Sequence, residues 1–162
     1  DRILSEPIEI KDVKIDTKAA LKLNVLKQIS KKNGITEWEL NAVSATLLKD
    51  ENKAILNHVS VYFFTRENQK VNLRSNKGVL NTQTHDMTFS DNVVVTYGDA
   101  VMRSDKLQYI KKEHIIRSES QVVLEKGNSV IRADAMTTRL NDNVTILDGH
   151  VKGQFSENFS IR

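Results

Sequence analysis

Not one of the 162 residues is a cysteine. That removes a disulfide framework, a thiolate nucleophile and any Cys-based zinc site, and it leaves the redox compartment unreadable. Proline occurs once, at Pro7, and glycine six times, so no linker of flexible composition divides the chain and a single domain is expected over 1–162. Only the first dozen or so residues, about 12, are expected to be flexible. Nowhere do about 18 apolar residues run together, so neither a membrane-spanning helix nor a signal peptide is expected within these residues. Because the chain starts at Asp1 without a methionine, an N-terminal anchor is expected to have been removed. The 24 lysines and arginines and 21 acids leave a net charge of +3. They are scattered, without a basic run, which argues against a nucleic-acid surface.

What the chain has is a repeat. Trp38-Glu-Leu40-Asn-Ala42, Val71-Asn-Leu73-Arg-Ser75, Ala100-Val-Met102-Arg-Ser104 and Ser129-Val-Ile131-Arg-Ala133 alternate in period two. Their last residues are spaced by 33, 29 and 29 positions (75−42, 104−75, 133−104). A second alternating segment trails each: His58-Val59-Ser-Val61, Asn92-Val93-Val-Val95, Gln121-Val122-Val-Leu124 and His150-Val151-Lys-Gly153. Recurrence at this period describes a stacked array whose units cannot bury their apolar faces alone.

In a strand, residues two apart share a face. Val59, Val61 and Phe63 therefore point one way, and His58, Ser60, Tyr62 and Phe64 the other. The same reading turns Leu73, Val93, Val95, Met102, Val122, Leu124 and Ile131 inward and leaves Arg74, Asn92, Arg103, Gln121 and Arg132 in water, a half-buried sheet. Beyond each anchor the apolar phase changes parity. Ala42 is followed by Ala45 and Leu47, Ser75 by Gly78 and Leu80, Ser104 by Leu107 and Tyr109, and Ala133 by Met136 and Thr138. A regular strand cannot change parity, so a bulge or corner is predicted after every small anchor residue.

Polar clusters at Asp50–Asn52, Arg66–Gln69, Thr84–Asp86, Tyr97–Asp99, Lys111–His114, Lys126–Asn128 and Asn141–Asn143 have turn compositions and imply antiparallel up-and-down connections. Residues 16–32 carry mixed signals. Ala19 to Leu23 are good helix formers, yet Leu23, Val25, Lys27 and Ile29 alternate, and Lys31-Lys-Asn-Gly34 reads as a hairpin turn, so strand is preferred. The architecture that follows is all-β, with about 14 to 16 antiparallel strands, two per unit, in two facing sheets around an apolar slot open at both ends. A parallel β-helix is the competing array.

Four dispersed histidines, His58, His85, His114 and His150, lack the pairing of a metal site. No Ser-His-Asp order or paired carboxylate set stands at a workable spacing. No metal, cofactor or enzymatic activity is therefore expected. Asn143-Val-Thr145 matches a glycosylation sequon.

The run Asn33-Gly34-Ile-Thr-Glu-Trp38-Glu-Leu40-Asn-Ala42-Val-Ser-Ala45, with Gly78-Val-Leu80, Asn92-Val93-Val-Val95 and Ser104-Asp105-Lys-Leu107-Gln-Tyr109, resembles the LptC family of lipopolysaccharide-export proteins over roughly residues 13 to 155. The later repeats also resemble the LptA family, a soluble periplasmic bridge of the same fold. The resemblance implies a twisted, V-shaped β-jellyroll in the periplasm, anchored to the inner membrane of a Gram-negative bacterium. It implies acyl chains of lipopolysaccharide inside the slot, taken from an ABC transporter at the N-terminal edge and passed to an LptA-type bridge at the C-terminal edge. Trp38, Leu40, Leu47, Val59, Val61, Phe63, Leu73, Leu80, Phe89, Val93, Val95, Met102, Tyr109, Val122, Leu124, Ile131 and Met136 would contact lipid. Val144, Ile146, Val151, Phe155 and Phe159 would form the partner edge. The alternatives are an LptA-like bridge and a purely structural array with a filled core.

Overall fold

A computed structural model describes residues 9–15 and 20–154. Its long strands are β1 (Glu9–Ile15), β2 (Ala20–Lys32), β3 (Ile35–Leu48), β4 (Lys53–Phe64), β5 (Lys70–Asn81), β6 (Met87–Tyr97) and β7 (Ala100–Ile110). Shorter ones follow: β8 (Ile115–Ser118), β9 (Val122–Lys126), β10 (Ser129–Ala133), β11 (Ala135–Arg139), β12 (Val144–Asp148) and β13 (Lys152–Gln154). One 3-10 turn, Lys49–Glu51, interrupts them. Alternation outweighs helix propensity in the ambiguous segment, which from Ala20 onward is strand. The hairpin after it turns at Asn33 and Gly34, with φ of 53° and 79°, the left-handed pair that a two-residue connection needs.

Every pairing is antiparallel, and β1 to β7 pair in sequence order. The predicted corner crosses the sheet at the predicted places. Buried positions jump from Ala42 to Ala45 in β3, from Ser75 to Gly78 in β5 and from Ser104 to Leu107 in β7. The register slips at the same level, between Arg74 and Lys77 and between Ser90 and Val93. On the returning segments His58, Asn92 and His150, each just before its valine, take left-handed φ of 52°, 63° and 45°, a conformation in which Asn and His are enriched. The small anchors serve the bend as well, since Ser75 Oγ donates to the Lys77 carbonyl at 2.8 Å. In β2 the jump runs from Leu23 to Leu26, so Gln28 and Ser30 turn inward and Ile29 outward.

Past this line the sheet is two arms. β7 pairs through Ala100–Ser104 with β9 and through Gln108–Ile110 with β8. One arm continues to β10 and β13, the other to β11 and β12. The arms face each other. Phe63, in the first, packs on Tyr109 of the second with ring centroids 4.5 Å apart, whereas in a flat sheet β4 and β7 would lie three spacings, about 14 Å, apart. Phe89 meets the Phe63 ring edge-on at 6.5 Å. The two facing sheets are therefore halves of one folded, hydrogen-bonded sheet. Thirteen strands are described, against about 14 to 16 expected at two per unit.

Phe64 keeps the face it shares with Tyr62, for Lys70 Nζ lies over both rings at 6.0 and 5.4 Å, yet it is buried where the His114 turn folds onto the end of β4 and bonds the Phe64 carbonyl. Val151 differs from its repeat equivalents Val59, Val93 and Val122 in being exposed, since it precedes the three-residue edge strand β13.

The last corner is held by Asp134, whose N–H donates to the Gly149 carbonyl at 2.8 Å. Gly149 has φ of 77°, and a β-carbon there would come within 2.8 Å of Asp134 Cβ. Gly149→Ala is expected to cost about 2 kcal/mol from left-handed strain and the clash. Urea unfolding checks this, and an unchanged midpoint would show that this corner is not formed in solution.

Candidate functional site

Between the arms lies a cavity of about 490 Å³. One wall is the first arm, with Val71 of β5, Val95 of β6, Met102 of β7 and Leu124 of β9; the other is the second arm, with Met136 of β11 and Leu147 of β12. These side chains meet there because each lies on the inward phase of its strand, on the far side of the corner from its arm partner. Gln69, Tyr97 and Asn143 form the mouth, where Tyr97 Oη donates to Gln69 Oε1 and accepts from Asn143 Nδ2 at 3.1 Å. Lys126 and Asp99 flank it, 4.0 Å apart.

Of the residues expected to contact lipid, Val95, Met102, Leu124 and Met136 line this cavity. Trp38, Leu40, Val59, Val61, Phe63, Leu73, Leu80, Phe89, Val93, Tyr109, Val122 and Ile131 are buried elsewhere in the interior, and Leu47 is half-buried against it. Of the partner-edge set, Ile146 and Val151 are exposed and Val144 is half-buried, while Phe155 and Phe159 lie outside the described residues.

Opposite the corner, the arms are joined along a seam. His85, between β5 and β6, reaches β2 of the first arm: Gln28 Nε2 donates to its Nε2 at 3.1 Å, and its Nδ1 faces Ser30 Oγ at 3.4 Å. Trp38 packs edge-on to the ring at 5.2 Å. His114, between β7 and β8, donates from Nε2 to the Phe64 carbonyl at 2.7 Å, which leaves Nδ1 to accept from Tyr109 Oη at 2.7 Å. Lys111 of the same turn pairs with Glu37 of β3. Asn143, between β11 and β12, makes the contact with Tyr97. Burial, reinforced by Lys111, lowers the His85 pKa to about 4. Burial also lowers that of His114, against opposing contributions from the Phe64 carbonyl and Glu37. Tyr109 is pushed well up by burial and by Glu37 and Asp86.

The sequence reading gave these histidines only a turn composition, and yet a signal was there. Asn52, His85, His114 and Asn143 each stand ten residues after an anchor (52−42, 85−75, 114−104, 143−133). All four are left-handed, with φ of 53°, 65°, 53° and 55°. Among the described residues no group of three or more His, Cys, Asp or Glu could hold a metal ion.

A family model of lipopolysaccharide-assembly, LptC-related proteins matches residues 8–156. The chain belongs to the LptC-related family. Membership places it in lipopolysaccharide transport, among periplasmic transport proteins, with lipopolysaccharide and the transport machinery as partners. The fold agrees with a solved structure, the crystal structure of LptH from Pseudomonas aeruginosa, described as the LptA-homologous periplasmic component of the lipopolysaccharide transport device. The TM-score is 0.58 at 10% identity, over 74% of this chain and 94% of that one. No curated protein matches by sequence.

Proposed function

We propose that this LptC-related chain binds acyl chains of lipopolysaccharide in the cavity between its arms. It relays the lipid from an inner-membrane ABC transporter, at the β1 edge, to a periplasmic bridge protein at the C-terminal edges. Anchored at the inner membrane, the domain would form one segment of a path with sugars outside and acyl chains inside. The observation that carries the reading is the cavity itself, an apolar space of about 490 Å³ between Val71, Val95, Met102, Leu124, Met136 and Leu147. Each methylene moved out of water is worth roughly 0.8 kcal/mol, so an acyl chain gains by entering.

The edges support strand addition. Among the described residues β1 pairs only with β2, β12 only with β11 and β13 only with β10, which leaves one side of each backbone open to an added strand from a partner. A filled structural core is disfavoured by the same cavity, since well-packed interiors leave few voids larger than a water molecule.

Photocrosslinking from probes at Val93, Val94, Val95 and Thr96, in membranes with the transporter and ATP, tests the reading. Val95 lines the cavity, Val93 is packed in the core, and Val94 and Thr96 line a polar depression on the outer face with Asn72 and Arg74. Lipopolysaccharide adducts are expected at Val95 and not at Val94 or Thr96. Adducts on the outer pair, or at none of the four in a folded protein, would return the chain to a structural role.

A further inference from the structure

We propose a second site on this chain, an oxyanion-binding pocket on the outer side of the seam that takes a phosphate-type group. The pocket has a volume of about 320 Å³. Three cations converge on it from three separate segments: Lys32 at the end of β2, Arg66 in the turn between β4 and β5, and Lys112 in the turn between β7 and β8. None of the three has an acidic partner among the described residues, whereas Lys53, Arg103, Lys111, Lys126 and Arg139 all do. The one carboxylate in the wall, Glu37, is already engaged by Lys111 and lies 3.8 Å from His114 Nδ1. Like charges gathered around one concavity repel, and an anion with several oxygens relieves that repulsion through charge-assisted bonds. The floor is built rather than incidental, for His114 and Thr65 are buried and hydrogen-bonded, to the Phe64 carbonyl and the Gln69 N–H. The imidazole is held neutral by burial, with Lys111 and Lys32 acting in the same direction.

Position relates the pocket to the apolar cavity, and this part rests on the reading given above. The two spaces share the same two turns. Thr65 and Arg66 line the basic one and Gln69 the apolar one, and Asn141 and Asn143 divide likewise between them. Thr65 and Gln69 are bonded to each other, N–H to carbonyl at 2.9 Å and N–H to hydroxyl at 3.1 Å. Only a tight turn therefore separates an apolar interior from a basic exterior, the arrangement suited to an amphiphile whose chain lies inside and whose anionic group lies outside.

The test compares the unaltered chain with a Lys32→Ala, Arg66→Ala, Lys112→Ala variant whose fold is checked by circular dichroism. Three probes are used: inorganic phosphate, a phosphorylated lipopolysaccharide and the same lipid after phosphatase treatment. Phosphate is expected to shift the amide resonances of 32, 66 and 112. The phosphorylated lipid is expected to bind about tenfold more tightly than the treated one, a preference the variant loses and a Lys112→Arg single change keeps. Resonance shifts by phosphate with no preference between the lipids would assign the pocket to a free anion. Failure of both lipids to bind alongside such shifts would overturn the cavity reading and leave the pocket standing. No shift with phosphate, together with equal binding of both lipids by chain and variant, would overturn the pocket.

Discussion

Phe63→Ala is expected to cost about 3–5 kcal/mol, the range for removing a buried aromatic ring. The ring has no exposed surface, lies against Tyr109 at 4.5 Å and meets Phe89 edge-on. It is therefore one of the points at which the first arm grips the second. Net stabilities of single domains are about 5–15 kcal/mol, so this one change uses a large share of the whole. Met136→Ala offers the contrast. Met136 is nearly as buried, but one side of it faces the cavity, where contact partners are missing, so about 1–2 kcal/mol is expected. Urea unfolding of both variants, with slopes compared to confirm equal exposure on unfolding, decides the matter. Equal costs would mean that the space beside Met136 is packed in solution, and the slot would then be a core.

This contrast also marks where sequence reasoning reached its limit. Period-two alternation places Phe63 and Val95 on the same inward phase, and both point inward. What alternation cannot say is what stands across from them. Phe63 meets two rings, while Val95 meets an open space, because the distance between the arms is set by turns and corners distant in sequence. The corner itself was legible, since a change of parity has no explanation in a straight strand. His58 and His150 open their segments at the same place in the repeat, and the physical cause is the left-handed residue that the corner requires. The seam was harder to see. His85 and His114 sit among Thr, Asp, Lys and Glu, and such company describes a solvated turn as readily as a turn folded onto the opposite arm. Only the constant offset from the anchors separates them from ordinary turn residues. The burial of Phe64 was hidden for the same reason, since it comes with a chain segment fifty residues away, at His114.

The seam also predicts acid lability. In the folded chain His85 takes a proton only near pH 4, against 6.5 in an ordinary setting, chiefly because the ring is buried and secondarily because of Lys111. The unfolded chain then binds more protons between those values, so stability is complete above about pH 6.5 and falls as the pH drops toward 4. Each pKa unit is worth about 1.4 kcal/mol, so at pH 4.5, about two units below the ordinary value, the loss from His85 is roughly 2–3 kcal/mol. His114, lowered by burial as well, adds a loss of the same sign. Urea midpoints at pH 7.5 and 4.5 are expected to separate accordingly, and to separate less in His85→Gln, which keeps a polar group against Gln28 but cannot titrate. Carboxylates titrate over the same interval in both proteins, so the difference between the two separations isolates the histidine. If the variant lost as much stability as the parent, His85 would be open to water and the seam unlatched at β2. Because the three seam turns bind the arms at successive units, acid would loosen the two histidine contacts first and leave the Asn143 contact, which has no histidine, in place beside the cavity.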